Sequence, residues 1–200
     1  MTVGRERWLR MSRALASGHP AASGLCSKCV ETLSVAAAGI TIISDAGAQV
    51  SLCASGATVT ALAELEFTLG NGPASDAHEH GVPVCEVDLV NAPPLRWSAF
   101  ASPVVDAGFR AVFAFPLRLG AARLGALILY QIHPGDLDAD SYADALTGAE
   151  VITRAILARQ AGMPEEELMA ELADGGAFHA EVHQASGWSR CSSASASPTP

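Results

Sequence analysis

The sequence is poor in lysine and in aromatic residues, and each shortage argues against a class of function. Lys28 is the only lysine among twelve basic residues, so the chain lacks a polybasic patch that would bind an anionic membrane. The formal net charge of −9 and the pI near 5.0 disfavour a broad nucleic-acid-binding face, although a small basic module is compatible with them. Aromatic residues make up only 6% of the chain, so the core must be built mainly from Val, Leu, Ile and Ala.

Long apolar runs are also missing. No run approaches the roughly 18 residues of a membrane span, and no apolar segment of the signal-peptide type follows the arginines near the N-terminus. Five cysteines are an odd number in a chain of ordinary domain length, which fits a reducing compartment better than a disulfide scaffold. We therefore expect a cytoplasmic protein with no membrane partner.

Helices are predicted near both ends of the chain and strands in its middle. Helical periodicity marks residues 5–15, 25–33, 58–67, 75–80, part of 96–108, 140–161 and 164–174, and a last helix that begins at Ala177. Apolar runs and alternation between turn signals mark strands at residues 39–44, 48–55, 82–89, 109–120 and 123–132. Hairpins or short helices join most of the strands. We therefore predict an α+β domain whose mainly antiparallel sheet is covered by terminal helices.

The segment 109–120 is the clearest strand. Alternation places Phe109, Phe113 and Phe115 on one face, and Arg110 with smaller residues on the other. Pro116 lacks a backbone N–H, so it requires an edge position or a bulge at that point of the sheet.

Two segments resemble the GAF domain. "LGNGPASDAHEHGVPVCEVDL" is similar to that family's glycine-rich loop and following strand, and "FRAVFAFPLRLGAARLGALILY" is similar to its strand pair with a glycine turn. The likeness extends over residues 25–161. It implies a PAS-like fold with helices on an antiparallel sheet, and a signal-transduction role. The Asn-Lys-x-Phe-Asp-Glu motif of cyclic-nucleotide-binding members is absent, and Ala74 stands where many relatives have cysteine.

More narrowly, the chain resembles actinobacterial proteins in which a GAF domain precedes an ANTAR domain. "LADGGAFHAEVHQASG", at residues 172–187, is similar to the usual opening of ANTAR, a small helical unit that binds RNA hairpins and prevents transcription termination. "WSRCSSASASPTP" then replaces the helices that would contact RNA. RNA is therefore an expected partner only of a complete ANTAR domain. A reading-frame change near residue 188 would produce this pattern.

The predicted organisation is a series of five segments. They are an N-terminal helix and linker (1–24), a GAF domain (25–162), a linker helix (163–175), the start of a truncated ANTAR domain (176–187) and a low-complexity tail (188–200) that cannot offset the entropy of ordering. Apolar stripes at Trp8, Met11 and Leu15 and along residues 142–156 can cover the sheet or form a dimer bundle. By analogy with the fold we expect a homodimer.

A ligand pocket is the best functional candidate. In the GAF fold small ligands lie between the sheet and the loops or helices above it, and four strand residues could line that space: Thr41, Cys53, Val87 and Arg110. Arg110 could meet an anionic ligand, although a solvent-facing arginine is the simpler interpretation. We expect an unidentified small-molecule ligand and no cofactor.

Three further clusters carry metal-binding or acid–base side chains. Cys26 and Cys29 form one C-x-x-C, but a zinc site needs four ligands, so two buried cysteines one helical turn apart are the simpler interpretation. His179 and His183 are four residues apart but lack the zincin pattern. A cluster that could line a pocket mouth, but is better explained as a solvated loop, consists of Asp76, His78, Glu79 and His80.

Two hypotheses from different classes follow. The first is a non-enzymatic sensor and dimerisation module of a transcription-antitermination regulator whose RNA binding has been lost. The alternative is a GAF-type redox enzyme, such as a free methionine sulfoxide reductase, that uses Cys53 and Cys85 on predicted strands. No clear attacking and resolving pair of cysteines supports the enzyme, so we favour the sensor.

Overall fold

The computed structural model of the chain describes residues 3–16, 22–44, 46–91 and 97–175. The strands in these residues are β1 (Ala37–Ile43), β2 (Gln49–Ala54), β3 (Val84–Glu86), β4 (Ala111–Leu119) and β5 (Ala122–Gln131). They form one antiparallel sheet with the order β2-β1-β5-β4-β3. The helices are α1 (Val3–Ala16), α2 (Ala22–Leu33), α3 (Ala57–Leu69), α4 (Pro73–His80), α5 (Ser98–Asp106), α6 (Ala139–Gln160) and α7 (Glu165–Gly175). The predicted α+β class with an antiparallel sheet is confirmed.

Helices cover both faces of the sheet. One face packs against α2 and α6, while α1 packs on α6, α2 and α7, and we call it the terminal-helix face. The other packs against α3 and α4, with α5 beside α3, and we call it the short-helix face. Each face has its own apolar core. The sheet therefore lies between two separate apolar cores.

Strand β4 follows the predicted alternation. The side chains in the core of the terminal-helix face are those of Ala111, Phe113, Phe115 and Leu117. Val112 and Ala114 lie in the other core. Pro116 pairs with Ala126 of β5, but β3 pairs with β4 only as far as Ala114, so Pro116 needs no N–H partner on that side. A register shift follows directly after Leu117. The predicted edge position of the proline is therefore met.

Phe109 is an exception to that alternation. It precedes the strand and packs on the short-helix face, where its ring centroid lies 4.9 Å from that of Tyr130. The prediction that it shares a face with Phe113 and Phe115 is wrong, because the strict alternation of a strand begins only at Ala111.

Local hydrogen bonds set the element boundaries. Strand β3 is shorter than the predicted 82–89, since the Asp88 carboxylate accepts from the N–H groups of Val90 at 3.1 Å and Asn91 at 3.2 Å and so forms a turn. Helix α6 begins as expected, because the Asp138 carboxylate accepts from the N–H of Ser141 at 2.8 Å. Both boundaries thus follow from short side-chain-to-backbone contacts.

Helix α1 belongs to the same core as the sheet. Trp8, Met11 and Leu15 are buried among the residues of the terminal-helix face. The Trp8 indole N–H donates to the carbonyl oxygen of Leu172 in α7, and the Leu172 side chain is buried as well. The predicted boundary between residues 24 and 25 therefore does not coincide with a break in the core.

Ion pairs hold the outer side of α1 against α6. The Arg7 guanidinium contacts Asp144 at 2.6 Å and Asp140 at 2.7 Å, and Arg10 also contacts Asp144 at 2.6 Å. Arg154 of α6 lies 5.5 Å from the centre of the Trp8 ring. These contacts fix α1 in one position along α6.

The predicted helix from Ala177, the segments 176–187 and 188–200, and the histidines His179 and His183 lie outside the described residues. None of the helices that the structure describes has the length and hydropathy needed to cross a membrane.

Candidate functional site

The structure does not bring the four predicted pocket residues together. Thr41 is buried and lies on the short-helix side of β1. Cys53 and Val87 belong to the core of the terminal-helix face. The Arg110 guanidinium donates to the carbonyl oxygens of Val105 and Phe109, each at 2.9 Å, and so holds the end of α5. The sheet thus separates Cys53 and Val87 from Thr41.

A buried carboxylate on the short-helix face lies between α3 and α4. Glu66 of α3 is 3% exposed, and its Oε1 accepts from the backbone N–H of Ser75 at 3.0 Å and from the Ser75 hydroxyl at 3.4 Å. The N–H of Ala74 is a further donor to this carboxyl group. Glu66 therefore occupies the N-terminus of α4, where unpaired N–H groups favour a negative charge.

The backbone before α4 is shaped to admit this side chain. A Cβ atom on Gly72 would lie 2.5 Å from the Cγ and Cδ atoms of Glu66. Only glycine leaves enough space there. Beyond Ser75, the Gln49 side-chain amide of β2 donates to the Ser75 hydroxyl at 3.0 Å. The Gln49 Oε1 atom is buried and accepts no hydrogen bond from the described residues.

Burial dominates the electrostatics of Glu66. Loss of solvent raises the pKa of its carboxyl group to about 7, against the opposing effect of the hydrogen bonds from Ser75 and Ala74. Burial, and then the nearby charge of Glu66, raises the pKa of the Tyr130 hydroxyl as well. Glu66 can therefore gain or lose a proton near neutral pH. We call Glu66, Ser75, Gln49 and Tyr130 the Glu66 cluster.

Glu66 was not among the predicted site residues, although its position in the sequence carries a signal for it. Val59, Leu62 and Glu66 are the buried residues of α3, at positions i, i+3 and i+7 of one helical face. A charged residue in an apolar stripe marks a buried titratable group. The first turn of α4, which follows α3 in the sequence, supplies the N–H groups.

Two of the cysteines form a disulfide that the sequence did not indicate. Cys26 of α2 and Cys53 of β2 are bonded, with their Cα atoms 5.9 Å apart, and we call this bond the α2–β2 disulfide. Cys53 lies opposite Ile40 and next to a register shift, which directs its side chain under α2. The expectation of reduced cysteines is therefore not met for this pair. No group of three metal-binding side chains occurs within residues 3–16, 22–44, 46–91 and 97–175.

Cys29 lies one helical turn after Cys26 and is a buried, free thiol. Burial raises its pKa to about 12, so the thiol stays protonated and unreactive at neutral pH. The interpretation of Cys26 and Cys29 as buried residues on one helix is thus confirmed, with the bond to Cys53 added.

The cluster predicted at residues 76–80 is helical and has mostly structural contacts. The Trp97 indole donates to the Asp76 carboxylate at 3.0 Å. A ring nitrogen of His80 lies 2.8 Å from the carbonyl oxygen of Asp76. Arg123 donates to the carbonyl oxygens of His78 and Glu79 at the end of α4. These contacts fix α4 against α5 and the sheet.

Solved structures of GAF domains share this fold. The GAF domain of a phosphoenolpyruvate-protein phosphotransferase from Coxiella burnetii superposes with a TM-score of 0.60, at 16% identity, over 80% of this chain and 96% of its own. The GAF domain of nlh2 from A. aeolicus in an inactive state gives 0.54, at 10% identity, over 78% and 98%. A type II free methionine-R-sulfoxide reductase from Thermoplasma acidophilum gives 0.52, at 14% identity, over 74% and 94%. No family model and no curated protein matches the chain.

The chain therefore has the GAF fold, as the resemblance of its segments predicted. At identities of 10% to 16% this likeness shows the fold alone. The narrower predictions, an ANTAR segment and a role in antitermination, stay predictions.

Proposed function

We propose that this chain is a non-enzymatic sensor and dimerisation module of a cytoplasmic transcription-antitermination regulator. The observation that carries the proposal is the attachment of α7 to the core. Trp8 links α1 to Leu172 of α7, and α7 leads directly into the segment that resembles the opening of ANTAR. A change in the core of the terminal-helix face can therefore reach the segment that would lead into the RNA-contacting helices of a complete ANTAR domain.

The outer surface of α1 supports dimerisation. Leu9 and Ala14 line an open groove on α1, with Glu6 and two arginines beside them. Opposite charges around an apolar strip are self-complementary in an antiparallel pair of helices. We expect the chain to sediment as a dimer and Leu9→Asp to sediment as a monomer. Val82→Asp, at an exposed apolar site away from α1, is the matched control that leaves the dimer intact.

The redox-enzyme alternative is less well supported. Cys53 is in the α2–β2 disulfide, and Cys85, which is disulfide-bonded as well, lies on β3 at the opposite edge of the sheet. Four strand spacings separate the two edges, or roughly 19 Å, so the two sulfurs are far too distant for an attacking and resolving pair. Thiol-dependent turnover of free methionine sulfoxide, lost in Cys85→Ser, would favour the enzyme instead.

The test of the proposed regulator is RNA binding by two versions of the chain. One is the chain itself, and in the other the remaining helices of an ANTAR domain follow Gly187. Circular dichroism checks that both are folded. We expect only the extended version to bind a two-hairpin RNA, with an affinity that falls steeply as salt rises. A folded extended version that does not bind, or tight salt-sensitive binding by the chain itself, would contradict the proposal.

A further inference from the structure

We propose that the α2–β2 disulfide is a redox-sensitive element of this module, and that its opening and closing is a signal the module senses. This inference rests on the proposed sensor function and names the chemistry of one input. A disulfide in a protein of the cytoplasm is commonly transient and redox-sensing, because the thiol pool of that compartment is reducing.

The position of the bond fits a regulatory role. It joins α2, in the layer that carries α1 and α7, to β2, the edge strand of the sheet. Strand β2 pairs with only one neighbour, and Val50 within it is 64% exposed. A register shift lies beside Cys53. The bond therefore attaches α2 to an irregular edge strand. This strand has backbone hydrogen bonds to one neighbouring strand, whereas each central strand has two neighbours.

The third cysteine does not compete for either partner. Cys29 is one turn from Cys26 but is buried and protonated at neutral pH, and a protonated thiol is a poor nucleophile. Cys26 and Cys53 therefore pair with each other and not with Cys29. Cys29 also supplies a matched control, since its replacement leaves both bonded sulfurs in place.

The chemistry is ordinary thiol–disulfide exchange with an external thiol. The thiolate of the reductant attacks the sulfur of Cys53, the more exposed of the two residues at 6%, and forms a mixed disulfide. The S–S bond breaks, and Cys26 leaves as a thiolate that takes up a proton. A second thiol of the reductant then displaces Cys53 and becomes oxidised to a disulfide. Two electrons and two protons pass to the protein, and a small disulfide reverses the reaction.

A contiguous path of packed side chains leads from the bond to α7. Cys26, Leu15 and Leu33 share one buried core. At Gly148 of α6 the helices α1 and α2 meet, because a Cβ there would lie 3.4 Å from Leu15 and 3.9 Å from Leu33. From α1 the path continues through Trp8 to the carbonyl of α7. Release of α2 from β2 therefore loosens the helices that position α7.

The experiment follows thiol state and hydrogen exchange in the full chain. The protein is equilibrated in glutathione buffers of stepped ratio, the thiols are alkylated, and peptides are analysed by mass spectrometry. We expect Cys26 and Cys53 to become alkylated together. At the glutathione ratio at which these two cysteines become alkylated, the rate of amide exchange in α2, β2 and α7 rises roughly tenfold to a hundredfold. The reason is that a bond that closes a 27-residue separation limits local opening.

Variants assign the effect to this bond. Cys29→Ser keeps the response, whereas Cys26→Ser and Cys53→Ser exchange like the reduced protein at every ratio. The inference is overturned if Cys26 and Cys53 are alkylated in the most oxidising buffer, or if reduction leaves exchange in α7 unchanged. Reduction of the wild-type chain gives this answer even where a variant fails to fold. If the extended version does not bind RNA but the redox response of the disulfide is intact, only the proposed regulator function is contradicted.

Discussion

The two faces of the sheet differ in what they bury. On the terminal-helix face the strands contribute large apolar side chains, among them Ile40, Phe113 and Phe115. The buried hydroxyls of Thr147 and Thr153 on that side donate to carbonyls of their own helix. On the short-helix face the strands contribute small residues such as Ala114, Ala126 and Gly39, together with the hydroxyls of Thr41 and Tyr130.

This difference gives each interior its own reactive group. Small strand residues allow α3 and α4 to approach closely, and they bring the Glu66 carboxylate over the sheet. The terminal-helix face instead has tight apolar packing and a covalent bond. Proton exchange near neutral pH therefore belongs to one face, and thiol chemistry to the other.

The largest expected effect breaks the sheet that both faces share. Gly125 of β5 has φ +152°, and a Cβ there would lie 1.9 Å from the carbonyl oxygen of Thr41 in β1. We expect Gly125→Ala to cost more than about 4 kcal/mol, because backbone atoms of a central strand pair cannot move aside. Chemical denaturation measures the loss. Gly120→Ala, at a turn with open space around the Cβ position, is the milder control.

The second prediction concerns the Glu66 cluster. The folded-state pKa of Glu66, about 7, is above the ordinary value of 4.5, so the folded chain binds a proton more tightly than the unfolded chain. Stability from this group is complete below pH 4.5 and is lost as pH rises towards 7. We expect Glu66→Gln to remove that slope and to stabilise the protein by up to about 3 kcal/mol at pH 8.

Denaturation at pH 5 and pH 8 distinguishes the two forms of Glu66. Glu64→Gln, on an exposed position of the same helix, is the control and should keep the slope of the wild-type protein. An unchanged slope in Glu66→Gln would show that another group titrates between these pH values.

The third prediction compares two tryptophans, one on each side of the sheet. Trp8→Phe removes the donor to Leu172, and we expect a loss of about 1–2 kcal/mol and faster amide exchange in α7. Trp97→Phe removes a donor to Asp76 on the short-helix face and should leave exchange in α7 as it is. Equal exchange in α7 for both variants would contradict a connection through Trp8.

The smallest effects come from two glycines on opposite faces. At Gly148 a Cβ would make ordinary contacts with Leu15 and Leu33, so Gly148→Ala should stabilise α6 by up to about 1 kcal/mol. At Gly39 a Cβ would lie 3.0 Å from the Val59 side chain, so Gly39→Ala should destabilise. Thermal unfolding of the pair measures both signs. If Gly39→Ala instead stabilised the protein, the space between Gly39 and Val59 would be large enough for a methyl group.

The order and type of the elements could be predicted, because alternation in segments such as 109–120 is a local property of the chain. The pairing of Cys26 with Cys53 could not. It depends on a register shift between β1 and β2 that turns Cys53 towards α2, and a shift of one residue reverses the face. The separation of Cys53 from Thr41 has the same cause.

The role of α1 depended on long-range packing, whereas the burial of Glu66 had a local signal. The stripe of Trp8, Met11 and Leu15 indicated a buried helix, yet nothing in the local sequence said that Leu172 would accept a hydrogen bond from it. Glu66 was within reach of sequence analysis, since its spacing from Val59 and Leu62 placed it on the buried side of α3.

The bond between Trp8 and Leu172 also sets an order of events during synthesis. The two residues are 164 positions apart, and ribosomes add about 5–20 residues per second. Leu172, whose carbonyl accepts from the Trp8 indole, is therefore synthesised roughly 8 to 33 seconds after Trp8. For most of that interval the apolar side of α1 has neither α6 nor α7 to cover it. The nascent chain therefore exposes the apolar residues of α1 for most of its synthesis, and the terminal-helix core closes only when the last described helix has left the ribosome.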